Sequence, residues 1–154
     1  MNTRPLPTLL LACSTLACSD LGPQASDLRD EVARNRARWE AVGPTTYVYA
    51  VAHNCFCPME AVGPVRVEVE AGEVIVRTYV QSGTPVDPTF AEVFPAVDGL
   101  FDVLDRAIEQ EADDIQVTWD QDTGAPLQIS IDYLKGAVDD EEGYSIVDGP
   151  RTTP

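Results

Sequence analysis

The chain has 154 residues, with 26 Asp and Glu set against 10 Lys and Arg, for a net charge of −16. That balance disfavours nucleic acid and bare anionic lipid as partners, because both need Lys and Arg to neutralise phosphate. The length suits a single domain able to bury a core without a metal or disulfide framework, and the acidity alone reads as solubility or adaptation to salt.

The first 17 residues have the parts of an export signal: Arg4 near the amine, an apolar stretch centred on Leu9, Leu10 and Leu11, then small Thr15 and Ala17 before Cys18. Thr15-Leu-Ala-Cys18 resembles the lipobox of bacterial lipoproteins. The resemblance implies a thioether lipid on Cys18, cleavage before it, and an acyl chain such as palmitate on the new amine. Cys13, in Leu10-Leu-Ala-Cys13, is the runner-up, but its apolar run contains two prolines and barely reaches about 7 residues. Two or more acyl chains anchor a protein stably. Residues 18–26 are then a short tether of on the order of 30 Å, and residues 27–154 the domain. The expected address is the bacterial envelope, outside the cytoplasm. Ser19 after the lipidated cysteine favours the periplasmic side of the outer membrane. No later stretch is apolar for ~18 residues.

Residues 27–42 predict an amphipathic helix, with Leu28, Val32, Trp39 and Val42 on one stripe and polar Asn35 at its middle. Ser26 or Asp27 is the expected cap, and Gly43-Pro44 the stop. Arg34 and Arg38 fall on one flank of the stripe, Arg29 and Arg36 on the other. Their stems are expected to cover the core edge and their heads to pair with Asp30, Glu31 or Glu40.

Strands follow. Residues 45–52 place Tyr47, Tyr49 and Val51 on one face. Residues 65–70 alternate, turn at Ala71-Gly72 and return over 74–80 as a hairpin. Residues 81–88 are a proline-containing loop. Residues 98–111 predict a second helix, capped by Asp98, with Leu100, Phe101, Leu104 and Ile108 facing inward. Residues 115–119 and 127–133 form a second hairpin through Asp120-Gln-Asp122-Thr-Gly124, and residues 144–147 an edge strand. The fold class is α+β: a mainly antiparallel sheet of five or six strands, both helices on one face, in the order α-β-β-β-α-β-β-β.

His53-Asn-Cys55-Phe-Cys57-Pro58 is the one constellation with chemistry in it. On an extended strand His53, Cys55 and Cys57 point the same way. With Cys18 lipidated and Cys13 removed, Cys55 and Cys57 are the remaining thiols, and outside the cytoplasm thiols usually pair. A straight strand holds their Cα atoms near the upper limit of about 6.8 Å, so a disulfide requires a bend, which Pro58 and the loop to Pro64 make plausible. Two alternatives stay open: a copper or zinc site using all three residues, and reversible thiol redox. Asp120-Gln-Asp122 reads as a hairpin turn rather than a calcium loop, and Asp139-Asp-Glu-Glu142 as a solvated run. No serine–histidine–acid set and no phosphate loop appear, and no cofactor is called for.

Together these pieces resemble the DUF6174 family of uncharacterised bacterial lipoproteins. The matching segments are Trp39, Tyr47-Val-Tyr49, Cys55-Phe-Cys57-Pro58, Pro64-Val-Arg-Val-Glu-Val with Gly72, Val97-Asp-Gly-Leu-Phe101-Asp, Val117-Thr-Trp-Asp120, Gly124-Ala-Pro126-Leu-Gln-Ile-Ser-Ile131-Asp132 and Asp139-Asp-Glu-Glu-Gly-Tyr144. They span about residues 35–147. Trp119 and Ala125 stand where the resemblance leads one to expect Tyr. The resemblance implies a fold and an address and brings no activity. The expectation is a lipid-anchored binding or structural module serving another envelope protein, with a thiol or metal protein centred on His53, Cys55 and Cys57 as the alternative.

Overall fold

A computed structural model describes residues 23–137 and 139–152. Cys13, Cys18 and the signal segment lie outside the described residues. The elements run α1 (Pro23–Val42), β1 (Tyr47–Cys55), β2 (Val65–Glu70), β3 (Glu73–Tyr79), α2 (Val97–Glu109), β4 (Asp114–Trp119), β5 (Pro126–Asp132) and β6 (Glu141–Arg151), with short 3-10 turns at Met59–Ala61 and Pro88–Val93. The six strands form one antiparallel sheet in the order β3-β2-β1-β6-β5-β4. Two three-stranded meanders are thus joined along a seam between the first strand and the last. The expected α+β class and element order are present.

The period-2 pattern explains the layering. Tyr47, Tyr49 and Val51 of β1 face the same way as Val65, Val67 and Val69 of β2 and Ile129 and Ile131 of β5, and all are buried. Against this face pack Val32 and Trp39 of α1 and Val97, Leu100, Phe101, Leu104 and Ile108 of α2. Among the described residues the opposite face carries no helix. Ala71 and Gly72 both adopt positive φ, which matches the right-handed twist of the β2–β3 hairpin.

Several sequence expectations are corrected. Helix α1 begins at Pro23, so Ser26 and Asp27 lie inside it rather than capping it. Proline suits a first turn because its missing N–H has no intrahelical partner there. Residues 23–26, expected in an extended tether, therefore advance only about 1.5 Å each. Val42 is exposed, because the helix ends there and Gly43 N–H folds back onto the Trp39 carbonyl. Asp98 does not cap α2; the Tyr47 hydroxyl does, accepting from Val97 N–H at 3.0 Å. Arg36 pairs across to α2, with Asp102 at 3.0 Å and Asp105 at 2.5 Å, and lies over the Phe101 ring. Arg38 donates to the Gln121 carbonyl. Neither uses Asp30, Glu31 or Glu40, because the flanks of α1 are contacts with α2 and the β4–β5 turn. The last strand is central rather than an edge; β3 and β4 are the edges.

Asn35, the polar break in the α1 stripe, sits over the β4–β5 turn. Its amide donates to the Glu31 carbonyl. A Cβ at Gly124, which has φ +80°, would lie 2.5 Å from the Asn35 carbonyl oxygen. The glycine lets turn and helix touch. Asp120 organises the same turn, accepting from the backbone N–H groups of Asp122 and Thr123 and from the Thr123 hydroxyl. These bonds depress its pKa, the Thr123 N–H first among them, as a hairpin turn of this kind requires.

Candidate functional site

The register of the seam builds the site. His53 of β1 lies opposite Tyr144 of β6, which lies opposite Ile129 of β5; in the next row of the same face Cys55 opposes Glu142, and Glu142 opposes Ile131. His53 and Tyr144 stack with centroids 4.6 Å apart, and both are buried.

His53 joins the seam to the β1–β2 loop. Its Nδ1 lies 3.1 Å from the Ala61 carbonyl oxygen and 3.2 Å from Cys55 Sγ, and its Nε2 lies 3.2 Å from Glu142 Oε1. A carbonyl and a carboxylate only accept, so the two contacts together call for a proton on each ring nitrogen, Nδ1 toward Ala61 and Nε2 toward Glu142, the charged form of the ring. The backbone repeats the tie, since His53 N–H donates to the Val62 carbonyl at 2.8 Å. Tyr79 of β3 fixes the same loop by donating its hydroxyl to the Glu60 carbonyl.

Glu142 is the hub. Besides His53, its carboxylate accepts from the hydroxyls of Tyr144 and Tyr133, each at 3.2 Å. The His53 hydrogen bond, with the two phenols assisting, holds the Glu142 carboxyl below its ordinary value near 4.5 although burial opposes this. Burial and the neighbouring carboxylate push the Tyr144 phenol well above its ordinary range. Glu142 was expected in a solvated run of carboxylates. It is instead on a central strand, and Glu141 starts that strand. The usable signal was the spacing of Glu142 and Tyr144, which two residues apart share one strand face.

Beyond Cys55 the chain bends as expected. The Cα atoms of Cys55 and Cys57 are 5.3 Å apart and their sulfurs are within bonding distance. The three residues singled out in the sequence do come together: the candidate ligand atoms of His53, Cys55 and Cys57 all lie within 4.8 Å of one another. Between the cysteines Phe56 points outward, 86% exposed.

The helix-free face of the same seam carries an open cleft of roughly 360 Å³. Asn54, Gly143 and Ser130 form one row across β1, β6 and β5, and the cleft opens over Gly143, where a side chain is missing. Asn54, Ser130 and Gln128 line it, with Phe56, Asp139 and Glu141 also bordering it. A Cβ at Gly143 would lie 2.8 Å from the Ile129 carbonyl oxygen. One row further on, Asp114, Asp132 and Glu141 directly oppose one another across β4, β5 and β6. Like charges in such a row repel. Among the described residues Asp139 and Glu141 form no ion pair.

Fold and site together define a small α+β module whose central seam carries a histidine–carboxylate–phenol cluster inside and a polar cleft outside. The chain belongs to a family of unknown function, DUF6174, whose model matches residues 31–149. Comparison with curated proteins gives no match, and comparison with solved structures gives none. No helix among the described residues is long and apolar enough to cross a membrane.

Proposed function

We propose that this protein is a lipid-anchored module of the bacterial envelope that binds another envelope component with the Cys55–Phe56–Cys57 end of its sheet. The observation that carries the reading is Phe56: a large apolar side chain 86% exposed, held out by two cysteines at bonding distance on the lip of a cleft. Phe56 is the most exposed large apolar side chain among the described residues, with Met59 exposed close by in sequence, and aromatic anchors beside pockets dominate binding energy. Below the loop, the proton on Nδ1 and the three bonds to Glu142 serve to fix its position.

In this reading Cys18 carries the lipid and Cys55 and Cys57 form a structural disulfide. Labelled palmitate entering the chain in a bacterial host, and its loss in Cys18→Ser, test the anchor; incorporation that persists in Cys18→Ser but stops in Cys13→Ser moves the anchor to Cys13. Crosslinking in intact membranes followed by affinity capture tests the binding role. A specific crosslinked protein, lost in Phe56→Ala, is the expected result. No specific partner at native expression overturns it.

The 4.8 Å cluster favours a second reading, in which reduced Cys55 and Cys57 bind zinc or copper(I) with His53. It requires a lone pair on Nδ1, the nitrogen that faces the Ala61 carbonyl as a donor, or a turn of the ring away from Glu142. Intact mass with elemental analysis separates the two. A disulfide lowers the mass by two hydrogens and leaves no thiol to alkylate at these positions, whereas a thiolate site needs both sulfurs reduced.

A further inference from the structure

We infer that the cleft over Gly143 receives the guanidinium or ammonium head of an arginine or lysine side chain from the partner protein. The inference rests on the binding role proposed above and names the chemistry that the partner brings.

Three features select a cation on a stem. The first is shape. The cleft, at roughly 360 Å³, is near the small end of the range of about 300–1,000 Å³ for ligand sites, large enough for one long side chain. Its floor exists because position 143 has no side chain, and the nearby Ile129 carbonyl prevents one from being added. The second is the sign of the lining. The cleft is bordered by Asp139, Glu141 and Glu142 and by no basic residue. Glu142 is spent on His53, Tyr133 and Tyr144, whereas Asp139 and Glu141 are exposed and unpaired among the described residues. The side-chain oxygens of Asn54, Gln128 and Ser130 add neutral acceptors. An anion would meet carboxylates with no compensating donor charge. An apolar group would leave this polar wall without partners. The third is the rim. Phe56 borders the same cleft as the carboxylates, and an aromatic ring among negative charges suits a cation on an apolar stem. The neighbouring row Asp114–Asp132–Glu141 extends the negative field along the same end of the sheet and steers a basic segment toward it.

The test uses the isotopically labelled full chain in neutral detergent and a capped peptide with two adjacent arginines among glycines; a peptide with glutamines in their place is the control. Amide shifts are followed by NMR. Saturable shifts at Asn54, Phe56, Gln128, Ser130 and Gly143 are expected with the arginine peptide alone. Phe56→Ala should weaken binding about fivefold, and Asp139→Asn with Glu141→Gln about tenfold. Glu70→Gln with Glu73→Gln, which removes the same charge at the opposite end of the sheet, should leave binding within about twofold. Equal weakening by the two charge pairs, or shifts spread over the whole surface, reduces the effect to general attraction and overturns the inference. Free arginine amide saturating the same shifts at the same midpoint as the peptide assigns the cleft to a small cation and also overturns it. If the peptide fails while Phe56-dependent crosslinking to an envelope protein persists, this inference falls and the binding role stands.

Discussion

Glu142→Ala isolates the energetic centre of the site. The carboxylate accepts from His53 Nε2 and the hydroxyls of Tyr144 and Tyr133. Truncation leaves the first two donors orphaned in a buried setting, with His53 7% and Tyr144 5% exposed; the less buried Tyr133 can turn to water. Each orphaned buried donor costs about 1–3 kcal/mol, and relief from desolvating a carboxylate returns part of it, for a net loss of about 3 kcal/mol. For a chain of this size that is a fall in Tm of roughly 6–12 °C. Thermal and urea unfolding of the full chain at pH 7 measure it. Tyr144→Phe and the double variant complete a cycle, in which the two losses should fall short of additive by about 1 kcal/mol. The pH dependence is fixed in sign. The folded carboxyl titrates below its ordinary value near 4.5, so its contribution is whole above that value and disappears as pH falls through the folded one. The gap between wild type and Glu142→Gln should close over that acidic interval. A Tm change under about 3 °C at pH 7, or strictly additive losses, would refute the hub.

Other tests reach the rest of the fold. Burial pushes the Tyr47 phenol up to about 12 and those of Tyr49 and Tyr144 upward as well. The stability this represents is present below the ordinary value near 10 and lost as pH rises through the folded values; tyrosinate absorbance should come first from Tyr79 and Tyr133, with the other three appearing only as the fold opens, and smooth ionisation of all five tyrosines with the fold intact would contradict this. Gly124→Ala meets both a positive φ and the Asn35 carbonyl, so it should lose about 3 kcal/mol in urea unfolding; a loss under about 1 kcal/mol would mean that α1 yields easily there. Arg36→Ala gives up the Asp102 and Asp105 pairs and the Phe101 face, with an expected loss of about 1–1.5 kcal/mol that Arg36→Lys does not restore. Cys55→Ser with Cys57→Ser opens a ring of very few residues, so the chain-entropy cost is only about 1.5 kcal/mol, and a cooperative transition should survive.

Much of this fold was legible because it rests on period. The β2–β3 hairpin alternates strictly, and its sequence bounds agree with the structure to within a residue or so. Helix α2 packs its apolar residues on one face, and all four expected inward residues are buried. What escaped was long-range. Nothing local states that β6 crosses the molecule to pair with β1, so a short valine-poor segment looked like an edge. The misreading of Glu142 followed from this, because a carboxylate changes meaning when its strand becomes central. Capping by the Tyr47 hydroxyl, 50 residues from the amide it serves, is equally invisible to local pattern. The His53–Cys55–Cys57 grouping was legible because two-residue spacing needs only one strand and one bend.

The seam explains why chemistry gathers at one place in a sheet that is otherwise plain packing. Each meander can close its own hairpins, but β1 and β6 meet only through contacts between the two halves of the chain. Alternation then assigns neighbours to opposite faces: Glu142 and Tyr144 go inward to His53, while Gly143 between them goes outward and leaves its place empty. The inner cluster fixes the backbone of both strands at the point where the outer face lacks a side chain. A cleft in the middle of a sheet survives only if the strands beneath it resist sliding, since a slip of one residue exchanges the two faces. The buried polar cluster supplies that resistance through bonds that only one register satisfies. In that sense the His53–Glu142 bond belongs to the same device as the Phe56 rim on the other side of the sheet.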